Sequence, residues 1–240
     1  MDVKEISRDV KSVQEYRNFF QEHWKNDLTK NSYEIITNLS HSFQYLEFLS
    51  NCLVHDLHPG IQRQMIKSYI ICGGSIIETL IYCYLDMNQS LKHNEWKVLT
   101  DRRTKSKYLE SFEGLNSEYK KNIDGKQIKI TLRIEEKLKS PTKGNPNFNS
   151  MIGVIISKKL FGDNKEIYDS LRKIKNLRNK VHLNNVISEF DHDWRNFKRE
   201  DGVELKKTLI QIIKSETFNF PLTPSKETFG FLSLSIFHNY

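Results

Sequence analysis

The chain has 240 residues, of which 38% are hydrophobic, enough to build a real core around one large helical domain. Charged residues make up 28% and the formal net charge is +7, while five prolines and ten glycines leave few places to turn. That scarcity favours long helices over a many-stranded sheet. Met1 leads into DVKEISRDVK without an apolar stretch, and no uncharged apolar run approaches the ~18 residues of a membrane span. No signal peptide and no membrane partner are therefore expected, and the cytoplasm is the expected compartment.

In chain order, residues 9–26 read as a first amphipathic helix and residues 31–55 as a second. In the second, Ile36, Leu39, Phe43, Leu46 and Leu53 recur at helical rather than strand spacing. His58-Pro59-Gly60 breaks the chain and puts proline at a helix start, where its missing donor costs little. Residues 60–87 follow, the most hydrophobic segment, apolar over more than half of its circumference. Such a helix is expected to lie inside a bundle with neighbours on several sides. Gly73 and Gly74 in its middle point to close helix crossing. Cys52, Cys72 and Cys83 are odd in number, form no CxxC and sit in apolar patterns, so they read as small core residues.

Residues 88–147 differ in kind. Positions 91–145 hold fourteen Lys/Arg against eight Asp/Glu, a net of +6, and a local excess of this kind attracts nucleic acid. The spacing predicts a short helix near 104–121 and a strand over 126–134, within an insertion between core helices. Arg102, Arg103, Lys105 and Lys107 are the candidate RNA-backbone contacts, with a solvated surface as the alternative. The helical pattern resumes at 148–161, 163–184 and 200–217. An aromatic tail, 218–240, is too rich in Phe to be a loose tag and is expected to pack on the bundle.

The segment 163–184 carries the chemistry. Asp163 or Asn164 can cap its start, and Ile167, Leu171, Ile174 and Val181 mark its buried face. On a 100° wheel with Ile167 at zero, Arg178 falls at about 20°, inside that stripe, and His182 at about 60° on its flank. Lys173 and Lys180 fall on the far side, where solvent is expected. An arginine aimed at a core face is costly unless it is paired or faces a cleft. A histidine exchanges protons near neutral pH, and a guanidinium grips phosphate and stabilises charge developing on it. Such a pair suits RNA cleavage through the ribose 2′-OH with no metal and no cofactor. A buried Arg–carboxylate pair beside a histidine making a backbone contact explains the same pattern structurally.

The stretch LRNKVHL at 177–183, late in a helix of a helical protein with a very apolar earlier helix, resembles the signature helix of HEPN domains. These are small helical bundles of prokaryotic toxin and antiviral systems, also found in eukaryotic ribonucleases. Their motif is an arginine, a polar residue and then a histidine, matched here by Arg178, Asn179 and His182. The resemblance implies an all-α, HEPN-like bundle forming one domain over 1–240, with its core at about 31–87 and 148–217. It also implies a metal-independent endoribonuclease, a homodimer with a composite site, and an antitoxin or regulatory protein as partner. Glu78 matches the family's polar residue on the earlier core helix, although the wheel sets it opposite the mean apolar direction. The chain departs from the family in placing three residues between Arg and His, where active members usually have four to six. Asn184 stands where members paired with a nucleotidyltransferase antitoxin have tyrosine. A catalytically silent dimerisation or RNA-binding module, and a purely structural helical protein, therefore remain as alternatives.

Weaker signals complete the reading. Asp191-His192-Asp193 has metal-ligand residue types without a second cluster at zinc-like spacing, and reads as a loop turn. His55-Asp56-Leu57-His58 reads as histidines gathered at a helix C-terminus. GxxxxGK[ST], GxGxxG and GxSxG are all absent, so the sequence gives no support to nucleoside-triphosphate or α/β-hydrolase chemistry.

Overall fold

A computed structural model of the chain describes residues 9–24, 32–88, 90–91, 93–98, 118–123, 126–131, 134–143, 146–180, 197–218, 220 and 227–233. The chain separates into two compact units, Met1–Ser90 with Pro146–Tyr240, and Leu91–Asn145. The second unit lies within residues 88–147. The described residues are mostly helical.

The first unit contains α1 (Val13–Trp24), α2 (Ser32–Leu53), α3 (Pro59–Met87), α4 (Phe148–Ser157), α5 (Lys165–Asn179) and α6 (Arg199–Lys214), and a 3₁₀ turn at Gly230–Ser233. Several starts are written locally. Helix α1 begins four residues later than its periodicity suggests, because Ser12 and Glu15 form a capping box. The Ser12 backbone N–H donates to Glu15 Oε2 at 2.8 Å, and the Glu15 N–H donates to Ser12 Oγ at 3.3 Å. The Ser12 backbone N–H and then its hydroxyl, both donating to Glu15 Oε2, hold the Glu15 carboxyl below its usual range. Asn147 and Asn164 cap α4 and α5 through bonds from Ser150 N–H (2.9 Å) and Ile167 N–H (3.4 Å).

Helix α3 touches α2, α4, α5 and α6 and is the axis of the bundle. It is long and apolar enough to cross a membrane by length and composition, yet 56% of its most apolar window is buried among its neighbours, as in a core helix. The glycine pair lies where two helices cross it. A Cβ on Gly73 would stand 2.4 Å from Leu205 Cδ2 of α6, and one on Gly74 would stand 3.2 Å from Ile174 Cγ2 of α5. Leu205 is fully buried, so its side chain must shift within the core to admit a methyl group. Gly73→Ala should therefore destabilise the fold by about 1–2 kcal/mol in denaturant titration, overpacking outweighing the ~1 kcal/mol gained in helix propensity. A more stable Gly73→Ala would show that α6 does not approach this closely.

The opposite side of the core is aromatic. Tyr16 and Phe20 of α1 pack on Phe43 of α2, Phe19 and Trp24 pack on Phe20, and the tail sends Phe220 and Phe229 into the same cluster. Within the described part of 218–240, Phe218, Phe220, Phe229, Phe231 and Leu232 are all buried, so this part of the tail belongs to the fold. A buried carboxylate ties α1 to α2. Glu47 accepts from Tyr16 Oη at 2.9 Å and from the Lys11 backbone N–H at 2.8 Å, with Lys11 Nζ at 3.5 Å. Burial, together with this carboxylate, pushes the Tyr16 phenol far above its usual range.

The second unit contains two antiparallel pairs, β1 (His93–Val98) with β4 (Glu135–Lys143), and β2 (Glu118–Ile123) with β3 (Lys126–Thr131). Strand β3 falls within the expected strand over 126–134. The helix expected near 104–121 does not extend to its C-terminal end, because Glu118–Lys121 is strand. The cause is the Asp124-Gly125 dipeptide between Ile123 and Lys126, a strong two-residue hairpin signal that outweighs helical spacing upstream.

Candidate functional site

Helix α5 buries Ile167, Leu171, Ile174 and Leu177 against α3, α4 and α6, and this packing fixes the azimuth of its last turn. Arg178 lies in that turn on the side facing α3. Its Nε–H donates to Ser75 Oγ at 3.2 Å, and its Nη1 forms an ion pair with Glu78 Oε2. Gly74 permits the approach: a Cβ there would stand 3.7 Å from Arg178 Cδ. Ser75 is itself anchored, since its hydroxyl donates to the Ile71 carbonyl one turn back at 3.0 Å.

Of the expected site residues, Arg178 and Glu78 are thus brought together, and Ser75 joins them. The helix wheel misplaces Glu78. A mean apolar direction describes a helix with one buried face, whereas α3 is enclosed on several sides, so Ser75 and Glu78 meet Arg178 of α5. Ser75 gave only a faint signal, a small hydroxyl residue three positions before Glu78 on the same helix side. Asn179 is the last residue of α5. His182 lies outside the described residues, as do Arg102, Arg103, Lys105, Lys107 and the Asp191-His192-Asp193 cluster. Helix α5 ends at Asn179, with the Lys180 N–H bonded to the Leu177 carbonyl at 3.0 Å, so the expected helix over 163–184 is shorter, and the pairing of Arg178 with His182 lies outside the described residues.

Electrostatically the site is a partly buried ion pair. Arg178 keeps 32% of its side-chain surface and Glu78 keeps 22%. Burial raises the Glu78 carboxyl above its usual range, and the Arg178 charge pulls it back only in part. A guanidinium has five N–H donors, of which Ser75 and Glu78 take two. Among the described residues, the arrangement fixes one part of the guanidinium and leaves its other donors for a further anion.

A second polar cluster lies across α5 and α6. Lys173 pairs with Asp201 at 2.8 Å and with Glu204, and the Ser170 hydroxyl donates to Glu204 Oε1 at 2.9 Å. Lys173 is exposed, as expected, and reaches across to the buried Asp201 of α6. Its hydrogen bond to Asp201, followed by that to Glu204, raises the ammonium above its usual range. Cys52 and Cys83 are buried core residues as expected. Cys72 is partly covered and donates to the Ser42 carbonyl at 3.3 Å, with burial pushing its thiol up to about 12.

No protein-family model, curated protein or solved structure matches this chain, so the reading of the site rests on its own residues and on the motif at 177–183.

Proposed function

We propose that the chain is a HEPN-like, metal-independent endoribonuclease of a toxin or phage-defence system, acting as a cytoplasmic homodimer. The observation that carries this reading is the held guanidinium. Arg178 is positioned by Ser75 and Glu78, remains about one-third exposed, and is followed directly by Asn179 and, three residues later, by His182. In the reaction a base removes the ribose 2′-OH proton and the oxygen attacks the adjacent phosphorus. The P–O5′ bond breaks and the leaving 5′ oxygen takes a proton, so the products are a 2′,3′-cyclic phosphate and a 5′-hydroxyl. His182 supplies base or acid, the free N–H groups of Arg178 stabilise charge on the phosphate, and Asn179 supports them. Glu78 acts as a positioning residue for Arg178. The basic insertion, with Arg102, Arg103, Lys105 and Lys107, holds the RNA, and an antitoxin or regulatory protein restrains the activity.

The ion pair also favours a second reading. Glu78 satisfies Arg178 within one protomer, and the Arg–His spacing is short, as in a silent HEPN-like dimerisation or RNA-binding module. The test is cleavage of total cellular RNA by the purified protein in EDTA. The wild type should leave 2′,3′-cyclic phosphate ends, and His182→Ala should cut at least ~100-fold more slowly with an unchanged melting temperature. Wild-type protein that is inert yet binds RNA or dimerises would replace the first reading with the second.

A further inference from the structure

We propose that the β2–β3 hairpin is a phosphate-backbone contact surface for single-stranded RNA, centred on Lys120 and Lys129. The inference takes its partner class from the ribonuclease reading, but it stands on the hairpin register. The ladder is continuous and sets Lys120 directly opposite Lys129. Opposed residues of an antiparallel pair share a face. The lysine pair therefore shares a face with Asn122 opposite Gln127 and Glu118 opposite Thr131. The other face carries Tyr119 opposite Ile130, Lys121 opposite Ile128, and Ile123 opposite Lys126. The ribbon is thus two-sided, with most of its apolar residues on one face and the opposed lysines on the polar one.

Opposed like charges weaken a ribbon, and ordinary surfaces intersperse the two signs. Here the charge pairing occurs in a unit that carries a net +6 of the chain's +7. A phosphate chain laid over the polar face converts that repulsion into attraction to both strands. Binding of this kind follows charge rather than sequence and weakens with salt.

The test uses full-length protein and a fluorescent 2′-O-methyl oligonucleotide, which lacks the attacking hydroxyl, so binding is read whether or not the chain cleaves. Two variants change the net charge equally: Lys120→Glu in the hairpin and Lys207→Glu on the exposed side of α6. Lys120→Glu creates an opposite-charge cross-strand pair with Lys129 and so should not unfold the hairpin. It should weaken binding about tenfold at low salt and flatten the slope of log Kd against log salt by about 0.7–1.4, as one or two phosphate contacts are lost. Lys207→Glu should change neither beyond a general screening effect. Equal behaviour of the two variants would overturn the hairpin as the contact surface, and so would wild-type protein that retains polyglutamate as well as the oligonucleotide. Loss of cleavage with intact oligonucleotide binding would bear on the ribonuclease reading alone.

Discussion

Replacing Phe229 with alanine is expected to destabilise the protein by about 3–5 kcal/mol, as much as the same change at Phe43 in the middle of α2. Phe229 comes from the C-terminal tail, yet it is only 5% exposed, and its ring lies 4.8 Å from Phe43, 5.0 Å from Phe19, 6.1 Å from Phe20 and 6.2 Å from Tyr16. Truncation would leave a cavity bordered by rings from two helices. Because those rings also pack on each other, the cavity cannot close by a simple shift of one side chain. Thermal melting should register a fall of roughly 6–20 °C, taking about 2–4 °C per kcal/mol for a chain of this size. Tyr45, which is 48% exposed, is the comparison: Tyr45→Ala should move the midpoint by no more than about 0.5 kcal/mol. A Phe229→Ala protein that melts with the wild type would mean that the tail is an accessory to the bundle rather than part of its core.

The same cluster shows which parts of the fold are legible in sequence. The long helices follow from apolar residues recurring at three and four, and α2, α3 and α6 lie within three residues of their expected bounds. The aromatic tail was readable because so many buried-type residues without charge cannot stay in water. Polar residues were harder, since their placement depends on which helices flank them. Glu78 occupies a wheel position that looks solvent-facing on an isolated helix, yet it meets Arg178 of α5, because α3 is covered on more than one side. Helix ends were governed by a few local hydrogen bonds, such as the Ser12–Glu15 box, which periodicity does not register. The candidate site was legible as far as its arginine. Ser75 became visible only once α3 and α5 were side by side.

The two halves of the Arg178–Glu78 pair should respond unequally to substitution, with Arg178→Met the more damaging. In the wild type, burial disfavours the charged Glu78 more than Arg178 favours it, so the carboxyl sits above its usual range. Removing Arg178 takes away the favourable influence and strands a carboxylate that keeps 22% of its side-chain surface. The cost should be about 2 kcal/mol at neutral pH, below the roughly 3–5 kcal/mol of fully buried pairs because water still reaches both groups. Glu78→Gln leaves an arginine that is 32% exposed and retains both the Ser75 bond and an amide oxygen to donate to. Its cost should be under about 1 kcal/mol. The pH dependence separates this account from simple loss of packing. A carboxyl with a raised folded-state pKa favours the fold at low pH, and that contribution disappears as pH rises through the folded value. Arg178→Met raises the value further, so its deficit against wild type should grow from pH 4 to pH 8, while Glu78→Gln removes the titration. On the ribonuclease reading, Arg178→Met also lowers RNA cleavage by about 100-fold or more, whereas Glu78→Gln, which leaves the guanidinium in place, costs far less. Equal losses of stability in the two variants, flat with pH, would show that the pair acts through packing and that Glu78 has no electrostatic hold on Arg178.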